Sequence, residues 1–300
     1  MADKGRTYKL GAKIMEYVEF GKTGKLVSRI GFGGAVAGLK NYLHEYDPAS
    51  AESSKGVLQA IEKALELGIN YFDTAPGYGD GRSEMLFGEA LKAVEPEKIF
   101  LATKLAIGNK GDVFRSVAES LKRLKRDSID LLQIHGTMYT RADADFILQE
   151  NGMLETMEEL KKQGIIRYIG FTSEDNNDAV YRFIESGRFD MMQLCYNFIF
   201  QHPYEPSRPF GSLLEAEKFK MGIVTMRAPT SGTFQRWIKM VNPENQFDYT
   251  KALIQFVLSN PYVDVALIGM RTADRVIENV NICNDQTGRI DLNKLHERYV

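Results

Sequence analysis

Phe72-Asp73-Thr74-Ala75-Pro76-Gly77-Tyr78-Gly79 decides the fold. The apolar run from Gly68 to Phe72 drives into it as a short buried strand. Asp73 stands at the end of that strand, Pro76-Gly77 turns the chain, Tyr78 sits at the tip of the turn, and a new helix starts at about Gly81. Two later apolar runs end in the same way. Lys98-Ile99-Phe100-Leu101-Ala102-Thr103-Lys104 terminates in a lysine, and Ser128-Ile129-Asp130-Leu131-Leu132-Gln133-Ile134-His135-Gly136 terminates in a histidine. In a (β/α)8 barrel the strand ends and the loops after them form one rim, where chemistry is built. Four polar residues at successive strand ends of such a rim can converge on one point.

Working outward, apolar runs and helical periodicity alternate along the chain. Strands are expected at 30–34, 69–72, 98–103, 129–134, 165–171, 190–195, 222–226 and 263–268. Helices are expected at 54–67, 82–94, 113–124, 154–162, 179–186, 213–221, 249–258 and 273–280. The first of these helices carries apolar residues at 57, 58, 61, 64 and 65, which form one buried face. Eight strands alternating strictly with eight helices are the sign of parallel βα units. The count, and the lack of a Gly-x-Gly-x-x-Gly after the first strand, favour a TIM barrel over a doubly wound sheet. The expected organisation is one domain over residues 1–300, with 1–15 as a polar, basic tail or small extension. Before the barrel, 17–20 and 26–30 flank the Gly-rich turn Gly21-Lys22-Thr23-Gly24 and read as a β-hairpin.

Three hundred residues suit one large barrel. A net charge of -2 argues against a nucleic-acid partner, which wants a basic excess. No apolar run approaches the ~18 residues of a membrane span, and no signal peptide is evident. Cys195 and Cys283 form no metal-binding spacing and read as reduced thiols, so a cytoplasmic protein is expected, monomeric or a small homo-oligomer. Long connections at 138–152 and 227–247, and the aromatic and proline-rich 198–211, are candidate walls of a pocket.

Taken together, Phe72-Asp73-Thr74-Ala75-Pro76-Gly77-Tyr78-Gly79, Leu101-Ala102-Thr103-Lys104 and Leu131-Leu132-Gln133-Ile134-His135-Gly136 resemble the aldo-keto reductase superfamily, and the resemblance runs from roughly Tyr17 to Val280. It implies that the hairpin closes the bottom of the barrel and that the catalytic residues are Asp73, Tyr78, Lys104 and His135. Carbonyl reduction needs a proton donor beside a hydride source. Tyrosine, with an ordinary pKa near 10, is a weak acid, which a neighbouring ammonium such as that of Lys104 strengthens. Asp73 is expected to hold Lys104 charged, and His135 to orient the carbonyl and assist the proton transfer.

The resemblance also implies NADP(H). Gly33, Gly34 and Ala35, otherwise a plain turn, let backbone approach a flat ligand. Thr172, Ser173 and Gln193 match positions that bond the nicotinamide carboxamide, with Ser173 shorter than the usual Asn. Arg227 stands where the family often has a stacking aromatic, so its guanidinium is expected to contact either the ring or an anionic group. Gly232 falls in a loop similar to the pyrophosphate clamp. Gly269, Arg271, Arg275, Glu278 and Asn279 match the adenosine end, with the two arginines facing a 2′-phosphate. The substrate is then a small carbonyl or alcohol. The alternatives are a redox-sensing regulatory subunit of the same fold, and a metal-dependent barrel hydrolase, which the absence of a His-x-His after the first strand disfavours.

Overall fold

The computed structural model describes residues 8–9, 15–40, 45–201 and 211–291. His44, His202, His296 and the 202–210 part of the aromatic, proline-rich connection lie outside the described residues, as does most of the expected N-terminal tail.

Eight parallel strands close into a barrel: Ile30–Gly33, Tyr71–Asp73, Phe100–Leu105, Ile129–Ile134, Ile166–Ser173, Met191–Cys195, Gly222–Met226 and Val265–Gly269. Each bonds the next, and the last returns to the first. Helices Ala51–Glu66, Arg82–Leu91, Lys110–Leu124, Met153–Lys162, Asp178–Glu185, Gly211–Lys218, Thr250–Leu258 and Ala273–Asn284 alternate with them. Local chemistry starts these helices where they start. The Ser50 hydroxyl accepts from Ser53 N at 3.0 Å, and Asn109 and Asp112 form a reciprocal capping box. Val57, Ala60, Ile61 and Ala64 then place one apolar stripe of the first helix against the barrel.

Inside the barrel a separate apolar cluster gathers Tyr71, Phe100, Leu131, Met191, Val224 and Val265 around Phe20. Strands Glu16–Glu19 and Leu26–Ser28 form the expected hairpin. Phe20 leaves it to plug the lower end, edge-on to Tyr71 and Phe100 at centroid distances of 5.6 and 5.2 Å. A two-residue strand, Tyr8–Lys9, adds to this sheet within what reads from sequence as a tail.

The lower rim is stitched by a repeated device. At the start of each even-numbered strand an Asn or Asp side chain accepts a backbone N–H from a neighbouring strand, the hairpin strand Leu26–Ser28 for Asn70 and the preceding barrel strand for the other three. Asn70 takes Ser28 N at 2.7 Å. Asp130 takes Leu101 N, Asp190 takes Ile169 N and Asp264 takes Ile223 N, each at 2.9 Å. These side chains satisfy backbone donors that the staggered ends of the strands would otherwise bury unpaired.

On the upper rim, two connections that read as loops are each built around a helix. Arg141–Leu148 follows a Thr140–Asp143 capping box, and Thr233–Val241 follows Gly232. The fifth strand also runs two residues beyond its expected end, so Thr172 and Ser173 are strand residues.

Candidate active site

Asp73 is the last residue of the second strand, and Lys104 the penultimate residue of the third. Both point into the barrel and both are 1 % exposed. Lys104 Nζ donates to Asp73 Oδ1, in an ion pair, and to the Thr74 carbonyl at 2.8 Å. The other carboxylate oxygen, Oδ2, accepts from Gln133 Nε2 at 2.8 Å. Burial pushes the Asp73 carboxyl up from its ordinary value, against the pull of Lys104 and Gln133. Burial would equally favour a neutral amine at Lys104, but Asp73 and Tyr78 outweigh it and hold the ammonium above its ordinary value. Lys104 is therefore an ammonium, held against the Asp73 carboxyl.

Tyr78 lies on the turn that follows Asp73. Tyr78 N donates to Ala75 O at 3.1 Å, and Gly81 N to Pro76 O at 2.7 Å, closing the turn. Gly38 and Gly79 let two backbones meet here, since a Cβ on Gly38 would collide with the Tyr78 carbonyl. Ser83 ties the parts together. Its hydroxyl donates to Gly34 O at 2.9 Å and accepts from Thr74 Oγ1 at 2.7 Å, while its N–H bonds Tyr78 O at 3.2 Å. The Tyr78 ring is thereby set over the Lys104 ammonium, 4.9 Å from Nζ to the ring centre. It is also edge-on to His135, with centroids 5.6 Å apart and planes at 88°.

Burial raises the Tyr78 hydroxyl above its ordinary pKa, and the Lys104 ammonium only partly offsets this. The net direction is thus opposite to the one expected from the ammonium alone. His135, the only histidine among the described residues, bonds Leu105 O through its backbone N–H at 2.8 Å. Burial first, and the Lys104 charge second, depress its imidazole to about 4. Near neutrality the constellation therefore contains a protonated phenol, a neutral imidazole and an ammonium.

Around this centre the other candidate residues divide. Gln193 Oε1 is buried with no hydrogen-bond partner, and its Nε2 meets only Met226 Sδ at 3.7 Å. The Thr172 hydroxyl instead bridges Gly136 O and N at 2.8 and 3.0 Å, and that of Ser173 donates to Asp175 O at 2.9 Å. Arg227 has a left-handed backbone (φ 62°), as do Thr230, Ser231 and Gly232 in the same loop. Its guanidinium pairs with Glu174 at 2.6 Å. It borders a cavity of about 150 Å³ shared with Cys195, Asn197, Phe200 and Trp237.

Gly33 ends the first strand, Gly34 follows it with its N bonded to Asp73 O at 2.7 Å, and Ala35 opens a short helix, Ala35–Gly38. Gly269 closes the eighth strand and Asn279 is buried on the helix beyond it. Arg271 and Arg275 do not share one partner. Arg271 reaches the carbonyls of Leu39 and Lys40 at 3.2 and 3.1 Å and lies over the Tyr46 ring. Arg275 pairs with Glu278 at 2.5 Å.

Two residues of this region escaped the sequence reading. Gln133 is a polar residue within an otherwise apolar run. Asn197 holds the strained rim: its Nδ2 donates to Arg227 O at 3.1 Å and its Oδ1 accepts from Ile199 N and Phe200 N.

The closed eight-stranded barrel brings a buried acid–lysine pair, a tyrosine and a histidine together on one rim, and among the described residues no cluster of His, Cys, Asp and Glu could hold a metal ion. The family model for the aldo/keto reductase family matches residues 29–297, and the chain belongs to that family. It is 27% identical over 297 residues to the L-galactose dehydrogenase of Arabidopsis thaliana, covering 89% of this chain and 87% of that one. A holo-form aldo-keto reductase of Bacillus halodurans superposes with a TM-score of 0.69 at 25% identity, over 89% of this chain and 90% of that one. A Klebsiella pneumoniae aldo-keto reductase in complex with NADP and acetate does so at 0.68 and 22%, over 95% and 94%. No helix among the described residues is long and apolar enough to cross a membrane.

Proposed function

We propose that this chain is an NADP(H)-dependent oxidoreductase, acting within one barrel domain, that reduces an aldehyde, ketone or sugar-like carbonyl to the alcohol or runs the reverse. The observation that carries the reading is the Tyr78 ring set over an ammonium whose charge Asp73 secures. Tyr78 donates the proton to the carbonyl oxygen. Its raised pKa keeps it protonated at neutral pH, as an acid in the reducing direction requires. The Lys104 ammonium, fixed in advance, favours the phenolate left after transfer. His135, neutral near pH 7, orients the substrate oxygen by a hydrogen bond and is not the acid.

The rim also suits a nicotinamide cofactor, which supplies the hydride when bound. The orphaned Gln193 Oε1 is an acceptor for a carboxamide N–H. Gln193 is proposed to share that contact with Thr172 and Ser173, whose hydroxyls also bond backbone. Gly33, Gly34, Ala35 and Gly232 are proposed to let backbone approach the cofactor, with Arg227 against its ring or pyrophosphate. Gly269, Glu278 and Asn279 face the adenosine, and Arg271 and Arg275 its 2′-phosphate. A relative of known structure carrying NADP supports the cofactor. The test is to follow nicotinamide absorbance with a panel of carbonyls. Carbonyl-dependent oxidation of NADPH is expected. Its absence across aldehydes, ketones and sugars, with cofactor still bound, would favour the regulatory alternative.

A further inference from the structure

We propose that Gln133 is a positioning residue for proton transfer: it secures Asp73, and through Asp73 the Lys104 ammonium beneath Tyr78. This rests on the carbonyl-reducing reading of the site.

Gln133 and Lys104 are register partners on adjacent strands, and both side chains turn into the barrel. One donates to each oxygen of the same carboxylate. Gln133 is fully buried, so no water can replace its amide without rearrangement. A carboxylate buried this deeply needs every donor it has, because one cation leaves part of its charge unsatisfied. The groups facing Asp73 are Lys104 from the third strand, Gln133 from the fourth, Tyr71 from its own strand and Tyr78 from the following turn. Those facing Tyr78 are Lys104, Asp73, His135 and Arg227. Among these, Gln133 is the neutral donor to the anion. If its N–H is lost, Asp73 either draws a proton from Lys104 or keeps an uncompensated negative charge. The first removes the ammonium from beside Tyr78 and the second leaves more of the anion's field acting on it, so in both cases its hydroxyl becomes a weaker acid.

The sequence places this glutamine in Leu131-Leu132-Gln133-Ile134, where an apolar residue would satisfy the strand equally well. Its amide oxygen has no protein partner. The fold thus gains nothing from that end of the side chain, and its amide N–H goes to Asp73, the partner of Lys104.

The experiment compares Gln133→Leu and Gln133→Glu with wild type and with Tyr78→Phe, measuring kcat, KM and their pH profiles and NADPH affinity by fluorescence. Gln133→Leu is expected to lower kcat about tenfold with KM and cofactor affinity unchanged, and to move the alkaline limb of the reductive profile to higher pH. Gln133→Glu is expected to be rescued at low pH, where the new carboxyl is protonated and can donate to Asp73, and to lose activity as pH rises and the two carboxylates repel. A merely structural glutamine would produce neither pH signature. The proposal is overturned if Gln133→Leu stays within about twofold of wild type with an unmoved limb and Gln133→Glu shows no new pH dependence. Should Gln133→Leu fail to fold, the pH response of Gln133→Glu decides alone. If Tyr78→Phe keeps wild-type turnover, the reading of the site itself fails, and the role of Gln133 with it. If Tyr78→Phe is inactive while both Gln133 variants behave as wild type, only the role of Gln133 fails.

Discussion

The Lys104 ammonium lies 4.9 Å from the centre of the Tyr78 ring and, while bonded to Asp73 and the Thr74 carbonyl, also acts on the phenol by its charge and by a side-chain hydrogen bond. It is an electrostatic neighbour held in advance. Its effect on Tyr78 is smaller than that of burial, so the tyrosine remains a protonated acid.

Lys104→Met should therefore change the shape of the pH profile as well as its height. Reduction needs protonated Tyr78, so activity is present below the Tyr78 pKa and is lost as pH rises through it. Removing the ammonium removes what lowers that pKa, and the alkaline limb should move up while the plateau falls. Steady-state kinetics across alkaline pH checks this; an unmoved limb would make Lys104 structural.

For the same reason alcohol oxidation, which needs the phenolate, should rise with pH over the range in which reduction falls. Initial rates in both directions with one carbonyl–alcohol pair test the sign. Parallel profiles would contradict it.

His135 is depressed to about 4 from an ordinary value near 6.5. A group of this kind contributes stability that is fully present above its unfolded pKa and is lost as pH falls toward the folded one. Between roughly pH 6.5 and 4 the loss should be on the order of 3 kcal/mol. Denaturant unfolding of wild type and His135→Gln should show a smaller decline in the variant over that window. Equal declines would place the imidazole in a more solvated setting.

Asp130→Ala should destabilise the barrel by about 1–3 kcal/mol by leaving Leu101 N–H unpaired at the lower rim. The proposed catalytic residues lie at the opposite rim, so kcat of the folded variant should match wild type. A kcat loss equal to the stability loss would show that the two rims are coupled.

NADPH should bind at least ~10-fold tighter than NADH, since one charged hydrogen bond is worth ~1.5–3 kcal/mol. The phosphate must compete with Glu278 for Arg275, and with the Leu39 and Lys40 carbonyls for Arg271. Titrating both cofactors against Arg275→Ala and Arg271→Ala checks the assignment. A preference surviving both substitutions would move the phosphate site elsewhere.

Much of this was legible in the sequence, for physical reasons. Asp73, Lys104 and His135 each close an apolar run, and a polar residue at the end of such a run marks a strand terminus facing a rim. Gln133 stayed hidden because it lies inside its run, where only the barrel register shows that it turns inward beside Lys104. The Thr140–Asp143 capping box was present in the residues of a connection that read as loop. The helix Thr233–Val241 starts from the left-handed Gly232, and the side chain that accepts one of its first-turn N–H groups, that of Phe234, is Thr230, outside the helix. The partners of Arg271 lie more than two hundred residues earlier in the chain. Nor does spacing reveal the net direction of the Tyr78 shift, because burial is a property of the closed barrel.

The central claim is that Tyr78 is the proton donor, and Tyr78→Phe tests it most directly, because it removes one oxygen and leaves the ring over Lys104. Carbonyl-dependent turnover and NADPH affinity are measured on the same preparation. Turnover is predicted to fall by 10²–10⁴-fold, the usual worth of a positioned general acid, with affinity for NADPH nearly unchanged. A variant that turns over within ~10-fold of wild type would contradict the account.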